Sequence, residues 1–244
     1  MPPADAERAR AIMLELFPEG FEERDGADGV ELAAYTDDSG EERLWSAFGG
    51  VHTSEVEDGW EERWRAFHRP VRIGPLWVGP PWERPDAAST PVVIDPGRAF
   101  GTGAHATTRL CLELLLDVPP GSLLDAGCGS GVISIAAARL GFAPVIAVDL
   151  DPQAIEATRR NAGDNGVAID ARELDATVDP LPSTASAVVN VSFDLDGRIA
   201  RRLESERIVT SGYLVAETLE LPGYRREARR DAEGWAADLH VRTK

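Results

Sequence analysis

The chain has 244 residues, 43% of them hydrophobic, with two cysteines, four histidines and a formal charge of −17. That length suits one large or two modest domains with a proper core. No apolar run approaches a membrane span, the charged start MPPADAERARAIM lacks the apolar stretch of a signal peptide, and neither the scattered histidines nor Cys111 and Cys128 have zinc spacing. The expectation is a cytoplasmic, monomeric protein with reduced thiols, no metal and no membrane contact.

Residues 1–60 hold sixteen Asp or Glu against four Arg, a net of −12, which leaves −5 for the remaining 184. Such a face is either a solvated surface that aids solubility or a docking module for a basic partner; direct binding to a nucleic acid backbone is not expected from it. In ADAERARAIMLELF (4–17), Ala9, Ile12, Met13 and Leu16 recur at helical spacing. GVELAAY (29–35) reads as a strand and EERLWSAF (41–48) as a second helix, giving a small acidic α+β domain over 1–54. A connector over 55–90 carries four of the six tryptophans. Trp60, Trp64 and Phe67 fall on one face of a short helix, and Pro70, Pro75, Pro80, Pro81 and Pro85 then hold the chain extended. A flexible linker has no use for so many aromatics, so the connector is expected to pack against a domain.

From residue 91 to 244 strands and helices alternate. SLLDA (122–126), PVIAVDL (144–150) and ASAVVNV (185–191) are apolar strands, with helices VISIAAARLG and DPQAIEATRRNAGDNG after the first two. RIVTSGYLVAE and GWAADLHVR read as two later strands, the last turning back antiparallel. The alternation predicts an α/β, Rossmann-like fold with a mostly parallel sheet covered on both faces.

The central signal is LLDAGCGSGVISIAAARLG, where Gly127, Gly129 and Gly131 lie between a strand and a helix. Open α/β sheets bind ligands there, and glycine lets backbone approach a ligand closely, although a tight turn alone would also use glycine. The spacing is Gly-x-Gly-x-Gly rather than the Gly-x-Gly-x-x-Gly of dinucleotide sites, and Asp125 stands just before it. A carboxylate at that point repels a diphosphate and suits a cationic ammonium or sulfonium. Asp149 closes the next strand, where an ionised carboxylate accepts two hydrogen bonds from a ribose diol. A nucleoside without phosphate and with an amino-acid tail describes S-adenosylmethionine.

DPGRAFGTGAHATTRLCLELL, followed by LLDAGCGSGVISIAAARLG and AVDLDPQAIEATRRNAGDNGV, resembles the PrmA family, whose members methylate a protein of the large ribosomal subunit (ribosomal protein L-eleven). The connector WEERWRAFHRPVRIGPLWVGPPWE resembles that family's interdomain segment. The likeness is strongest over 55–170, and its FGTGxHxTT element is more distinctive than the glycine loop. The resemblance implies a seven-stranded, mostly parallel sheet with the last strand antiparallel, and a substrate-recognition role for residues 1–54. It also implies four cofactor contacts: Thr108 near the methionine end, Gly127 through its backbone, Asp149 on the ribose hydroxyls, and Asn190 at the strand edge where methyl transfer occurs. Phe100, Thr102 and His105 would line the pocket or substrate entrance; His105 by itself also reads as a loop histidine with its own partners. The family's first strand has no counterpart before the helix at 4–17, and Val191 and Ser192 follow Asn190 where the family has Ile-Leu.

The activity implied is transfer of methyl groups to lysine or N-terminal amines of a basic ribosomal protein, with orientation by Asn190 and loop backbone and no dedicated catalytic base. Two alternatives stand beside it: methylation of a small amine or another protein, and a non-catalytic S-adenosylmethionine-binding protein that acts by interaction.

Overall fold

Leu123 and Leu124 are both completely buried, although successive strand residues point to opposite faces. The strand they share is therefore covered on both sides. The computed structural model describes residues 69–95 and 103–243, together with 22–26, 29–34, 36, 38–53 and positions 9, 12, 13, 16 and 17. The chain divides into two compact units, Met1–Glu61 and Glu62–Lys244.

In the first unit β1 (Glu22–Gly26) and β2 (Gly29–Ala33) form an antiparallel hairpin, and α1 (Asp38–Phe48) follows. Ala9, Ile12, Met13 and Leu16 are helical, as their spacing predicts, and Ala9 and Met13 are buried. The Arg43 guanidinium lies over the Phe17 ring, 5.5 Å from its centroid. The helix predicted through Trp60, Trp64 and Phe67 lies outside the described residues.

The second unit opens with β3 (Val71–Ile73), β4 (Leu76–Gly79) and β5 (Thr90–Val93), a three-stranded sheet in which β4 pairs antiparallel with β3 and parallel with β5. The proline-rich stretch, expected to run extended, doubles back between β3 and β4 at Gly74 and Pro75; Leu76 and Val78 within it, and Val92 and Ile94 just after it, are among the buried residues of the main core. There follow α2 (Ala106–Leu115), β6 (Leu123–Ala126), α3 (Val132–Arg139), β7 (Val145–Asp149), α4 (Pro152–Asp164), β8 (Asp170–Glu173), β9 (Ser186–Asn190), α5 (Phe193–Ala200), β10 (Arg207–Leu214), β11 (Tyr224–Ala232) and β12 (Trp235–Arg242).

These strands make a seven-stranded sheet in the order β11-β12-β10-β9-β6-β7-β8. Pairings among β10, β9, β6, β7 and β8 are parallel, and β12 runs antiparallel to both its neighbours. The last strand is thus the reversed one, as expected. From β6 the chain moves outward through β7 to β8, then returns to β9 on the other side, so the topological switch point lies between β6 and β9. One face packs Leu123, Val145, Val188 and Val209 against apolar residues of α2 and α3. The other packs Leu124, Val148, Val189 and Ile208 against Ile199 and Ala200 of α5. Each buried leucine, isoleucine or valine contributes about 1.5–3 kcal/mol, so these two layers dominate the stability of the unit. Among the described residues no helix is long and apolar enough to cross a membrane.

Candidate functional site

The turn after β6 depends on glycine. Gly127 has φ +83° and Gly131, the residue before α3, has φ +82°, values that L side chains resist. A Cβ on Gly127 would stand 2.3 Å from Val191 Cγ1, and one on Gly131 would stand 2.9 Å from the Thr158 side chain. The Gly127 and Cys128 amides both donate to the Val148 carbonyl of β7, at 2.8 and 3.1 Å. From behind, α4 holds the loop with two buried polar residues one turn apart. Thr158 Oγ1 donates to the Gly129 carbonyl at 3.0 Å, and Asn161 Nδ2 to that of Ser130 at 2.9 Å. Asn161 Oδ1 also accepts from the Asp95 amide at 3.3 Å, and Asn165 Oδ1 from the Val93 amide at 2.9 Å, so one helix fixes both the glycine loop and the end of β5. Sequence reading missed Thr158 and Asn161; their signal was polar side chains on the buried face of an otherwise amphipathic helix.

Two carboxylates flank the loop with different tasks. At the end of β7, Asp149 accepts from the Gly129 amide on Oδ2 and from the Asp151 amide on Oδ1, both at 3.0 Å. Asp151 in turn caps α4, accepting from the Gln153 amide at 2.8 Å with Pro152 opening the helix. Asp125 is 1% exposed, and its Oδ2 accepts from the Ser134 hydroxyl at 2.6 Å and the Ser134 amide at 3.1 Å. Burial pushes its carboxyl up to about 6, against the pull of the Ser134 hydrogen bonds, and the charge of Asp149 adds to the rise. The expectation that Asp125 offers its charge to a ligand is thus corrected: the carboxylate fastens the first turn of α3 to β6.

Gly127, Asp149 and Asn190 stand at the carboxyl ends of three adjacent parallel strands, β6, β7 and β9. A ligand laid across those ends meets the Asn190 carboxamide, the side-chain-free Gly127 backbone and the Asp149 carboxylate in that order. Asn190 is partly buried and pairs in register with Ser211 of β10. The Ser211 hydroxyl donates to the Ala236 carbonyl at 2.8 Å, and burial raises the Cys111 thiol well above the ordinary thiol range against the pull of Ser211. Thr108, 1% exposed, precedes Cys111 by one turn of α2 and shares its inward side. Both cysteines are buried and unbridged.

His105 caps α2, its Nδ1 lying 2.8 Å from Thr107 Oγ1 and accepting more weakly from the Thr107 amide at 3.4 Å. Its ring meets Trp235 edge-on, with centroids 5.2 Å apart. A Cβ on Gly103 would lie 2.5 Å from Val78 and 3.6 Å from Val132, the first residue of α3, so the end of the GTGAH segment packs beside the glycine loop. Phe100 and Thr102 fall outside the described residues. Beyond Asn190, Asp196 is fully buried, and its Oδ1 accepts from the Val191 amide at 3.2 Å. Its Oδ2 has no hydrogen-bond partner among the described residues, and burial pushes the carboxyl up to about 8.

A family model described as "Ribosomal protein L11 methyltransferase (PrmA)" matches residues 21–195. The chain is 40% identical over 204 residues to the ribosomal protein L11 methyltransferase of Symbiobacterium thermophilum, covering 76% of this chain and 66% of that protein. It is 50% identical over 119 residues to that of Pasteurella multocida, covering 47% of this chain and 41% of that protein. The chain thus spans two thirds or less of the length of these curated relatives. A crystal structure of a ribosomal protein L11 methylase from Lactobacillus delbrueckii subsp. bulgaricus superposes with a TM-score of 0.61 at 26% identity, over 72% of this chain and all of that one. With the family match extending from the first unit into α5, the chain belongs to the ribosomal protein L11 methyltransferase (PrmA) family.

Proposed function

We propose that this chain is an S-adenosylmethionine-dependent protein N-methyltransferase acting on lysine or N-terminal amines of a basic large-subunit ribosomal protein in the cytoplasm. One observation carries the reading: three parallel strands end side by side in a glycine backbone, a carboxylate and a carboxamide at the switch point of the sheet.

The donor set fits the cofactor. A Cβ on Gly127 would collide with Val191, so the loop runs bare of a side chain there, which suits close approach of the methionine portion to backbone. Asp149 accepts a backbone amide hydrogen bond on each oxygen; a carboxylate has about four acceptor sites, so both oxygens retain capacity for the ribose hydroxyls. Thr108 belongs at the methionine end and Asn190 at the point of transfer. When bound, the cofactor supplies an activated methyl group on a sulfonium, and the protein's contribution is alignment.

The acceptor nitrogen must present a free lone pair. A lysine amine, with a reference pKa near 10.4, is neutral in only about one molecule in 2,500 at pH 7, whereas an α-amine at about 7.7–8.0 needs far less help. Desolvation at the strand ends lowers an amine pKa. The Asn190 carbonyl and loop carbonyls accept hydrogen bonds from the amine and aim it, so no dedicated catalytic base is assigned. The acidic first unit, net −12 over residues 1–60, suits docking of a basic protein; on this reading the KM for that substrate rises with ionic strength.

Calorimetric titration of S-adenosylmethionine into the wild type and Asp149→Ala, then incubation with purified large-subunit proteins and labelled cofactor, tests the proposal. Expected are loss of at least about tenfold in affinity in the variant, equal to about 1.4 kcal/mol, and label on one basic ribosomal protein. The partial span of the relatives favours one second reading, the same chemistry on another protein or a small amine. Cofactor binding with no labelled ribosomal protein would select it.

A further inference from the structure

The hairpin joining β11 to β12 turns through two residues, Glu233 and Gly234, between the paired Ala232 and Trp235. Their φ values are +54° and +83°, the arrangement of a tight primed turn, whose first position favours Asn, Asp or Gly. Glutamate has neither their short side chain nor glycine's freedom, and Glu233 is the one non-glycine residue with positive φ among the described residues. A strained residue retained at a turn marks a task performed elsewhere.

That task is visible 124 positions back in the chain. Glu233 Oε1 pairs with Arg109 Nη2 at 2.6 Å, and the same guanidinium donates through Nη1 to the Ala104 carbonyl. Trp235, next to the turn, supplies the ring that meets His105. The hairpin therefore grips Ala104 and His105 from two sides, directly after Gly103, which packs against the start of α3. With 68% of its side chain exposed, Glu233 gains little stability from an ion pair, so stability does not explain why strain is tolerated there.

We propose that Glu233 is a positioning residue: through Arg109 it latches the Gly103–His105 segment beside the glycine loop and so raises cofactor affinity without touching the cofactor. The affinity part rests on the S-adenosylmethionine reading above; the latch itself does not. Without the latch the segment is competent for only part of the time, and apparent Kd rises by the inverse of that fraction.

The test is Glu233→Asn, which gives the turn its preferred residue and deletes the carboxylate. The melting temperature is expected to stay equal or rise, while Kd for S-adenosylmethionine rises about fivefold and kcat at saturating cofactor stays within about twofold. High salt should bring the wild type to the variant's affinity, and in an Arg109→Ala background the change at 233 should have no further effect. Hydrogen exchange without cofactor gives the independent readout: amides of 103–107 should exchange about tenfold faster in Glu233→Asn. Unchanged exchange in that segment, or unchanged affinity, overturns the latch. Failure of the wild type to bind the cofactor would instead overturn the proposed function, and the exchange result would still decide the latch.

Discussion

The two halves of the central sheet, divided between β6 and β9, handle buried charge in opposite ways. In the β6–β7–β8 half the carboxylates at the site have donors in place: Asp125 has the Ser134 hydroxyl and amide, and Asp149 has two backbone amides. The β9–β10–β12–β11 half instead buries a polar cluster on one face. Tyr213 Oη lies 2.8 Å from Thr210 Oγ1 and 3.1 Å from Asp238 Oδ2, and Thr210 Oγ1 lies 3.1 Å from His240 Nε2. Burial raises the Tyr213 phenol and lowers the His240 imidazole, favouring their neutral forms. Two carboxylate oxygens here, Asp196 Oδ2 and Asp238 Oδ1, have no partner among the described residues. The first half is preorganised by satisfied backbone geometry, whereas the second stores an electrostatic cost next to the strand where an acceptor amine is proposed to sit.

The sharpest way to break the ordered half is Gly127→Ala. Both the positive φ and the 2.3 Å approach to Val191 oppose a methyl group, so we expect about 2–4 kcal/mol of lost stability in denaturant titrations. Cofactor binding should fall below detection in calorimetry. Gly166 is the control, with φ +62° and nothing within 4 Å of a Cβ; alanine there should cost only about 1 kcal/mol and leave binding intact. Equal effects at the two glycines would mean that backbone strain alone, and not the close approach to Val191, governs the loop.

Asp196→Asn probes the other half, with the opposite sign. The folded carboxyl keeps its proton up to about pH 8 because it is buried, while the unfolded one releases it near 3.9. Stability is therefore lost as pH rises from about 4 to 8, the interval in which unfolding releases a proton. Asparagine retains an acceptor for the Val191 amide and cannot ionise. It should add about 1–3 kcal/mol at pH 8, nothing near pH 4, and flatten the dependence between them. In Asp125 the Ser134 bonds hold the carboxyl down to about 6 against burial, so its stability loss is confined to about pH 4–6. Asp125→Asn should therefore stabilise less at pH 8 than Asp196→Asn and leave the slope above about pH 6 unchanged. If both variants stabilise the protein alike, the contrast between the halves fails.

Legibility in the sequence follows the same division. Strands β6, β7 and β9 carry apolar runs because both faces are covered, and their positions were predicted closely. β8 (DARE) and β11 (YRREARRDA) passed unmarked: they are the two edge strands, where charged side chains blunt the edge and erase the apolar signal. The β11 pattern is further broken by a register shift between Arg226 and Ala228. Gly127 and Asp149 stand out in the sequence because a glycine loop and a strand-end carboxylate have fixed places in such folds, and Asn190 through the family resemblance; all three lie at strand ends in the structure. Asp125 was misread because sequence gives a carboxylate's position and not its direction. Thr158, Asn161 and the Glu233–Arg109 pair act across separations of 29, 31 and 124 residues, and no local pattern encodes such pairings.

The smallest effect, and the finest test of the comparison, lies in two adjacent arginines on β11. Arg229 is 22% exposed and reaches the fully buried Asp238 at 3.3 Å. Arg230 points the other way, to Asp117 at 3.1 Å, with side chains 44% and 54% exposed. Exposed pairs contribute about 0–1 kcal/mol and are screened by salt. Removing the nearer cation of a buried carboxylate leaves Asp238, among the described residues, only the more distant Arg226, at 3.7 Å, and the Tyr213 hydroxyl, at 3.1 Å. Arg229→Ala should therefore cost about 2 kcal/mol in chemical denaturation with little salt dependence, and Arg230→Ala no more than about 0.5 kcal/mol, vanishing in high salt. A comparable loss from both would mean that burying Asp238 adds nothing to the strength of its pairing. The stored cost of the β9–β10–β12–β11 half would then reside in Asp196 alone.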